Sequence, residues 1–482
     1  MICRRAAAAL VVVAASGCAG AAEGTLAASR IPLAACELPG TPRAARCGTH
    51  LVWEDRAASS GRQIPIHIVV LPAAGGTRVP DPLFYLAGGP GGSAADAAAG
   101  VSRLLREVNE ARDLVFVDVR GTGRSGALRC PGLADDAPVQ AYFEDFLSDT
   151  FVKECLARQQ ADVRFYTEPI AVDDLDEIRE GLGYARINLF GTSGGTRVAQ
   201  MYMRRHPGTI RAVVMQGVHP VDGRMPLPYS KALDEAIRLL IERCAARAEC
   251  RDAQPNLAGE WQRVTQRFEG GAVEAIVEHP RTGQRETVRI TKGVFAEGLR
   301  HLLYDFGAAS DVAGVIAAAA RGEFGPFAVR HIRRTRALQQ AIAFGMFLTA
   351  TCAEDVPFIT DEDVARDTGG TFLGDYRVRR QQAACRIWPR GAGVDDRFLE
   401  PVRSDIAALL ISGDADVATP ASNGDRVAAG LSQARHIVFA DQGHQLANPA
   451  CAARLIAAFL NTADPSRLDT GCVAAASSAP RP

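Results

Sequence analysis

The sequence has no block of basic charge. Its 54 Lys and Arg are balanced by 55 Asp and Glu, for a net charge of −1, and a nucleic-acid partner, which needs a concentrated positive surface, is not indicated. No apolar run of membrane-spanning length occurs outside the N-terminus. None of the twelve cysteines stands in a Cys-x-x-Cys pair, so the spacings of zinc sites and thioredoxin-type centres are missing. Internal repeats are also missing. What remains is the composition of a globular protein, 47% hydrophobic and 23% charged, in a chain long enough for one large domain or two ordinary ones.

The first 21 residues read as an export signal. Arg4-Arg5 is a charged start, Ala6 to Ala15 a short apolar stretch, and small residues follow. Ala15-Ser16-Gly17-Cys18 resembles a bacterial lipobox, which would make Cys18 a lipidated first residue and a membrane tether; the alternative is plain cleavage near Ala19-Gly20-Ala21. Setting aside Cys3 and Cys18 leaves ten cysteines, an even number that suits disulfides in an oxidising compartment. Pairing each with its neighbour gives Cys36–Cys47, Cys130–Cys155, Cys244–Cys250, Cys352–Cys385 and Cys451–Cys472 as the expected set.

Gly191-Thr192-Ser193-Gly194-Gly195 follows the apolar run Ile187 to Phe190 and precedes a good helix former, Arg197 to Met203. A G-x-S-x-G between strand and helix is the setting of a nucleophile elbow, in which a tight turn lifts the Ser193 hydroxyl above the end of a sheet. Other runs without alternation, Pro82 to Leu86, Leu114 to Val119, Ile210 to Met215, Ile406 to Ser412 and His436 to Phe439, imply a parallel sheet covered on both faces. Thr49 to Glu54 and Ile64 to Leu71 are expected antiparallel edge strands. The expected organisation is a core over 36–221, a mainly helical cap inserted over 222–398, a second core part over 399–472 and a disordered tail over 473–482. Within the cap, 272–277 and 287–291 read as a hairpin and 337–350 as one apolar helix.

A serine hydroxyl needs a base, and the base an orienting carboxylate. In this fold class the order along the chain is Ser, acid, His. Of the two histidines after the late strand, His436 opens a strand and is committed to the sheet, whereas His444 lies in the following loop; His444 is the expected base. The acid lies in Gly413-Asp414-Ala415-Asp416, where Asp416 is favoured for reach and Asp414 is the second choice. The oxyanion donors are expected from the backbone N–H groups of Gly194 and of Gly89, in the run Gly88-Gly89-Pro90-Gly91-Gly92. Asp118 and Arg120 read as braces for those loops. Gly121, Gly123 and Gly126 match G-x-G-x-x-G, but Pro131 cuts short the helix a dinucleotide site requires. No metal or organic cofactor is implied.

Together these motifs, with Gln442-Gly443-His444, resemble the α/β-hydrolase superfamily, and within it the tripeptidyl aminopeptidase and proline iminopeptidase group. The resemblance spans about residues 50–460. It departs from the cytosolic proline iminopeptidases at Ala87, where those enzymes have His before Gly-Gly-Pro-Gly. It implies an exported serine hydrolase that cleaves peptide bonds near a free N-terminus. It also implies that an acidic residue of the cap holds the substrate amine, for which Glu354 is the candidate and Asp355 the second choice. The rival readings are a carboxylesterase acting on small esters with the same triad, and an envelope binding protein on a hydrolase scaffold.

Overall fold

In the computed structural model, the described residues run from 29 to 478, apart from 42–43, 135, 307–308, 396 and 447–448. The export signal and Cys18 lie outside them. Nine strands form one sheet. Three are antiparallel at one edge: β1 (Ala34–Cys36), β2 (Ala45–Trp53) and β3 (Gln63–Leu71). Four more precede the cap: β4 (Leu83–Leu86), β5 (Leu114–Val117), β6 (Ile187–Thr192) and β7 (Ile210–Gln216). A separate hairpin, β8 (Val273–Glu278) with β9 (Arg285–Ile290), lies in the cap, and β10 (Ala407–Gly413) and β11 (Ala434–Phe439) complete the sheet. The order is β1-β2-β3-β5-β4-β6-β7-β10-β11, parallel from β5 to β11.

The unalternating runs follow from burial on both faces. Phe84, Leu86, Val213 and Met215 enter one core with helices Glu168–Gly181 and Gly194–Arg205. Their neighbours Leu83, Tyr85, Ala212 and Val214 enter the opposite core with helices Ala94–Leu104 and Ala450–Thr462. Successive strand side chains point to opposite faces, so a strand apolar throughout is stable only when both faces are covered.

The segment after β7 does not behave as one unit. Residues from about 229 to 341 build their own core from Leu233, Ile237, Phe268, Phe295 and Phe327. Ala415 and Val417, on either side of Asp416, belong to that same core. From Ala343 on, Met346, Leu348, Cys352 and Trp388 pack instead with the helices covering the sheet.

The expected single helix over 337–350 is two, Gly325–Ala341 and Phe344–Glu354. The break falls where Ile342 forms a β-bridge with Gly92 and the Ala343 N–H donates to the Gly91 carbonyl at 2.9 Å. Of the tail expected to be disordered, 473–478 belong to helix Gly471–Ser478 and 479–482 lie outside the described residues. The Cys451–Cys472 disulfide ties the start of that helix to helix Ala450–Thr462. The other four bridges, Cys36–Cys47, Cys130–Cys155, Cys244–Cys250 and Cys352–Cys385, are formed as well.

Candidate active site

Ser193 stands alone in the turn between β6 and helix Gly194–Arg205, with φ 53° and ψ −125°. A non-glycine residue in that region is strained and must be held by its surroundings. Its N–H donates to the Gln216 carbonyl of β7 at 2.8 Å. The turn tolerates no bulk nearby: a Cβ on Gly195 would lie 2.1 Å from the Leu86 carbonyl oxygen.

His444 Nδ1 lies 2.8 Å from Asp416 Oδ2 and 3.0 Å from Oδ1. Asp416 also accepts from the Ala418 and Thr419 N–H groups at 2.8 and 2.9 Å and from Thr419 Oγ1 at 2.8 Å. Burial alone would push this carboxyl up; His444 and the ring of donors outweigh it and hold Asp416 below the usual carboxylate range. An ionised Asp416 keeps the proton on Nδ1 and leaves Nε2 of a neutral imidazole as the acceptor. A Cβ on Gly217, one residue past Gln216, would come within 3.1 Å of His444 Cε1, so β7 brings the histidine loop beside the serine turn. Tyr304 packs its ring edge-to-face on His444 at 4.9 Å. Ser193, Thr419 and Tyr304 wall one small cavity of about 30 Å³.

Asp414 points elsewhere. It pairs with Arg243 at 2.6 Å. His436 is bound to Ser412 and Asp425.

Gly89 has φ 131° and its N–H has no acceptor among the described residues. Gly194 opens its helix, so its N–H lacks an intrahelical partner. The two glycines pack together: a Cβ on Gly194 would lie 3.4 Å from Gly89 C. Asp118 braces this loop by accepting from Ser93 Oγ (2.7 Å) and the Ala95 N–H (3.0 Å), just beyond Gly92. Arg120 is clamped by both oxygens of Asp174.

Residues 81–286 match the family model described as alpha/beta hydrolase fold. The chain has the α/β-hydrolase fold. Residues 370–472 match the model described as TAP-like protein. Among curated relatives, serine protease Hip1 of Mycobacterium tuberculosis is 29% identical over 231 residues, 43% of each chain. Tripeptidyl aminopeptidase of Streptomyces lividans is 29% identical over 197 residues, 37% of this chain and 36% of that one. The matched stretch thus spans less than half the length of these relatives. A solved proline iminopeptidase from Mycobacterium smegmatis aligns over 87% of this chain and 99% of its own at 15% identity, with a TM-score of 0.42.

In this fold the acid expected to meet a substrate amine is not available. Glu354 is fully buried. Its Oε1 accepts from the Glu168 N–H at 2.8 Å and its Oε2 from Arg197 Nη2 at 2.7 Å. It is a structural partner beneath the cavity, not part of its wall. Burial, with Glu168 beside it, pushes its carboxyl up. The second choice, Asp355, does line the cavity with Ser193. Asp355 is held by Arg197 Nη1 at 2.9 Å and the Met225 N–H at 3.1 Å, with His219 Nε2 at 3.6 Å. Burial and the Arg197 guanidinium push His219 down, which favours the neutral ring.

Arg197, Glu168, His219 and Tyr304 were not singled out from sequence. Arg197 had one legible signal: it is a charged residue one turn after Ser193, in the helix stretch 194–203 that is buried throughout. The partners that explain it come from three distant segments.

Proposed function

We propose that this chain is an exported serine hydrolase that cleaves peptide bonds near a free amino terminus. The observation that carries the reading is Asp355 in the wall of the same small cavity as Ser193. Arg197 faces three carboxylates, Glu168, Glu354 and Asp355. Even with Glu354 protonated, one negative charge is left over in a buried site. A substrate ammonium would balance it through a charge-assisted hydrogen bond, and a blocked amine would not. The names of two relatives, a serine protease and a tripeptidyl aminopeptidase, support a peptide substrate.

In this reading Ser193 Oγ attacks the carbonyl carbon while His444 Nε2 takes its proton. The Gly89 and Gly194 N–H groups bind the resulting oxyanion. Collapse expels the leaving amine, which takes the proton from His444, and leaves an acyl-enzyme on Ser193. Water then adds by the same route and frees the serine. Asp416 orients and stabilises the imidazolium throughout. Export rests on five disulfides, which suit an oxidising compartment, and on the N-terminal pattern, with Cys18 as the proposed lipid site. No described helix is long and apolar enough to cross a membrane.

The test compares the mature protein with Ser193→Ala on free-amine peptides, the same peptides N-blocked, and short p-nitrophenyl esters. Ser193-dependent cleavage confined to free-amine peptides is expected. Cleavage of esters alone would move the assignment to a carboxylesterase.

A further inference from the structure

A second, larger cavity of about 330 Å³ lies between the excursion 131–154 and the cap helices. Its size is that of a small-ligand pocket. Its apolar walls include Leu147, Phe151, Leu338 and Phe344. Glu144, Asp145 and Glu154 stand exposed along it, and no lysine or arginine is among its described lining residues.

Two side-chain contacts set this cavity next to the Ser193 pocket. Phe146 lines the large cavity and packs on Phe344 at 6.5 Å and on Phe347 at 6.2 Å, and Phe347 lines the Ser193 pocket. His301 lines the large cavity and packs at 5.6 Å on Tyr304, the residue seated against His444. Meanwhile the Ser193 pocket, with Asp355 in its wall, has about 30 Å³, room for about two waters or a very short acyl part. The chain beyond the scissile bond has to be housed elsewhere, and His444, which delivers the leaving group's proton, stands on the Tyr304 side.

We infer that the large cavity is the subsite for the leaving side of a peptide, taking an apolar or aromatic side chain just after the cut, with a basic residue favoured next to it and an acidic one disfavoured. This rests on the peptidase reading above. The side chain buries against Phe344 and Leu338, while the exposed carboxylates attract a neighbouring cation.

The experiment measures kcat/KM of the mature protein on free-amine peptides of fixed first residue, with Phe, Leu, Gly or Asp after the cut, each followed by Arg or Glu. Expected are a preference for Phe and Leu over Gly of roughly tenfold to a hundredfold and faster cleavage with Arg than with Glu. Leu338→Trp, which fills the cavity, should cut the Phe-to-Gly ratio about tenfold; a ratio needs no correction for the fraction folded. Equal rates across the wild-type series would overturn the subsite and leave the peptidase reading intact. If no free-amine peptide is cleaved while esters are, the peptidase reading itself has failed.

Discussion

Arg243 reaches from the cap to Asp414, Nη2 to Oδ2 at 2.6 Å, two residues from the proposed acid Asp416. Its Nε also lies 2.8 Å from Asp441, three residues before His444. One guanidinium thus ties the acid loop to the histidine loop. Arg247 adds a second contact to Asp441, and the Gln445 N–H donates to the Tyr304 carbonyl at 2.9 Å. Arg243→Ala is expected to lower kcat roughly tenfold to a hundredfold, the cost of a small misplacement in a catalytic set, with KM little changed and partial recovery in Arg243→Lys. Asp414→Asn should act through the same link, so the double variant should lose less than the sum of the two. Unchanged kcat in Arg243→Ala would remove the link from the mechanism.

Glu354 and Asp355 should separate cleanly in mutants. Glu354→Gln leaves one of two buried donors, Arg197 or the Glu168 N–H, facing an amide NH₂, and should cost on the order of 3 kcal/mol of stability. Its KM for free-amine peptides should stay near wild type. Asp355→Asn should raise that KM tenfold or more. Urea unfolding and steady-state kinetics check both; an Asp355→Asn enzyme with wild-type KM would take Asp355 out of substrate recognition.

Stability should fall on mild acidification, before most carboxylates titrate. Burial pushes four histidines down: His67 on β3, His219 beside Arg197, His301 beside Arg300 and Arg377, and His331 against the Tyr142 carbonyl. Each binds its proton more readily unfolded, near pH 6.5. Their contribution is therefore complete above that pH and is lost as pH drops towards the folded values, by up to about 1.4 kcal/mol per pH unit for each, and by less for the half-buried His67. Urea midpoints measured from pH 8 to pH 5 should decline below about 6.5. A flat profile would show that these rings are protonated or hydrated in the native state. Asp416, depressed in the folded state, adds a later loss only as pH falls below about 4.

The Cys352–Cys385 bridge anchors the helix that ends just before Asp355. Replacing both cysteines by alanine should cost about 2–4 kcal/mol and raise KM more than it lowers kcat, since Ser193 and His444 stand on other elements. An equal loss in KM and kcat would point to general loosening instead.

Much of the proposed catalytic set was legible because local rules fix it. A strand, a glycine turn and a helix around Ser193 are consecutive in the chain, and the chain order of the fold class narrows the base to His444. The choice between Asp414 and Asp416 needed reach, which loop position conveys. Glu354 was misread because its partners, Arg197 and the Glu168 N–H, come from elements packed under the cavity; a carboxylate beside a disulfide looks the same whether it faces substrate or guanidinium. The helix break at Ile342 was hidden for a related reason. The apolar spacing runs on through Ile342-Ala343, and only the distant partners Gly91 and Gly92 interrupt it.

The bridge from Ile342 to Gly92 and the clasp of Arg243 on Asp414 have one consequence together. The first stitches the segment after β7 to the oxyanion loop, the second to the acid and histidine loops. Such a cap cannot be exchanged like a module between relatives, because a graft that breaks either stitch disturbs the apparatus beneath it. Variation in substrate choice should therefore accumulate as side-chain changes on the cavity walls, with the backbone of both stitches left as it is.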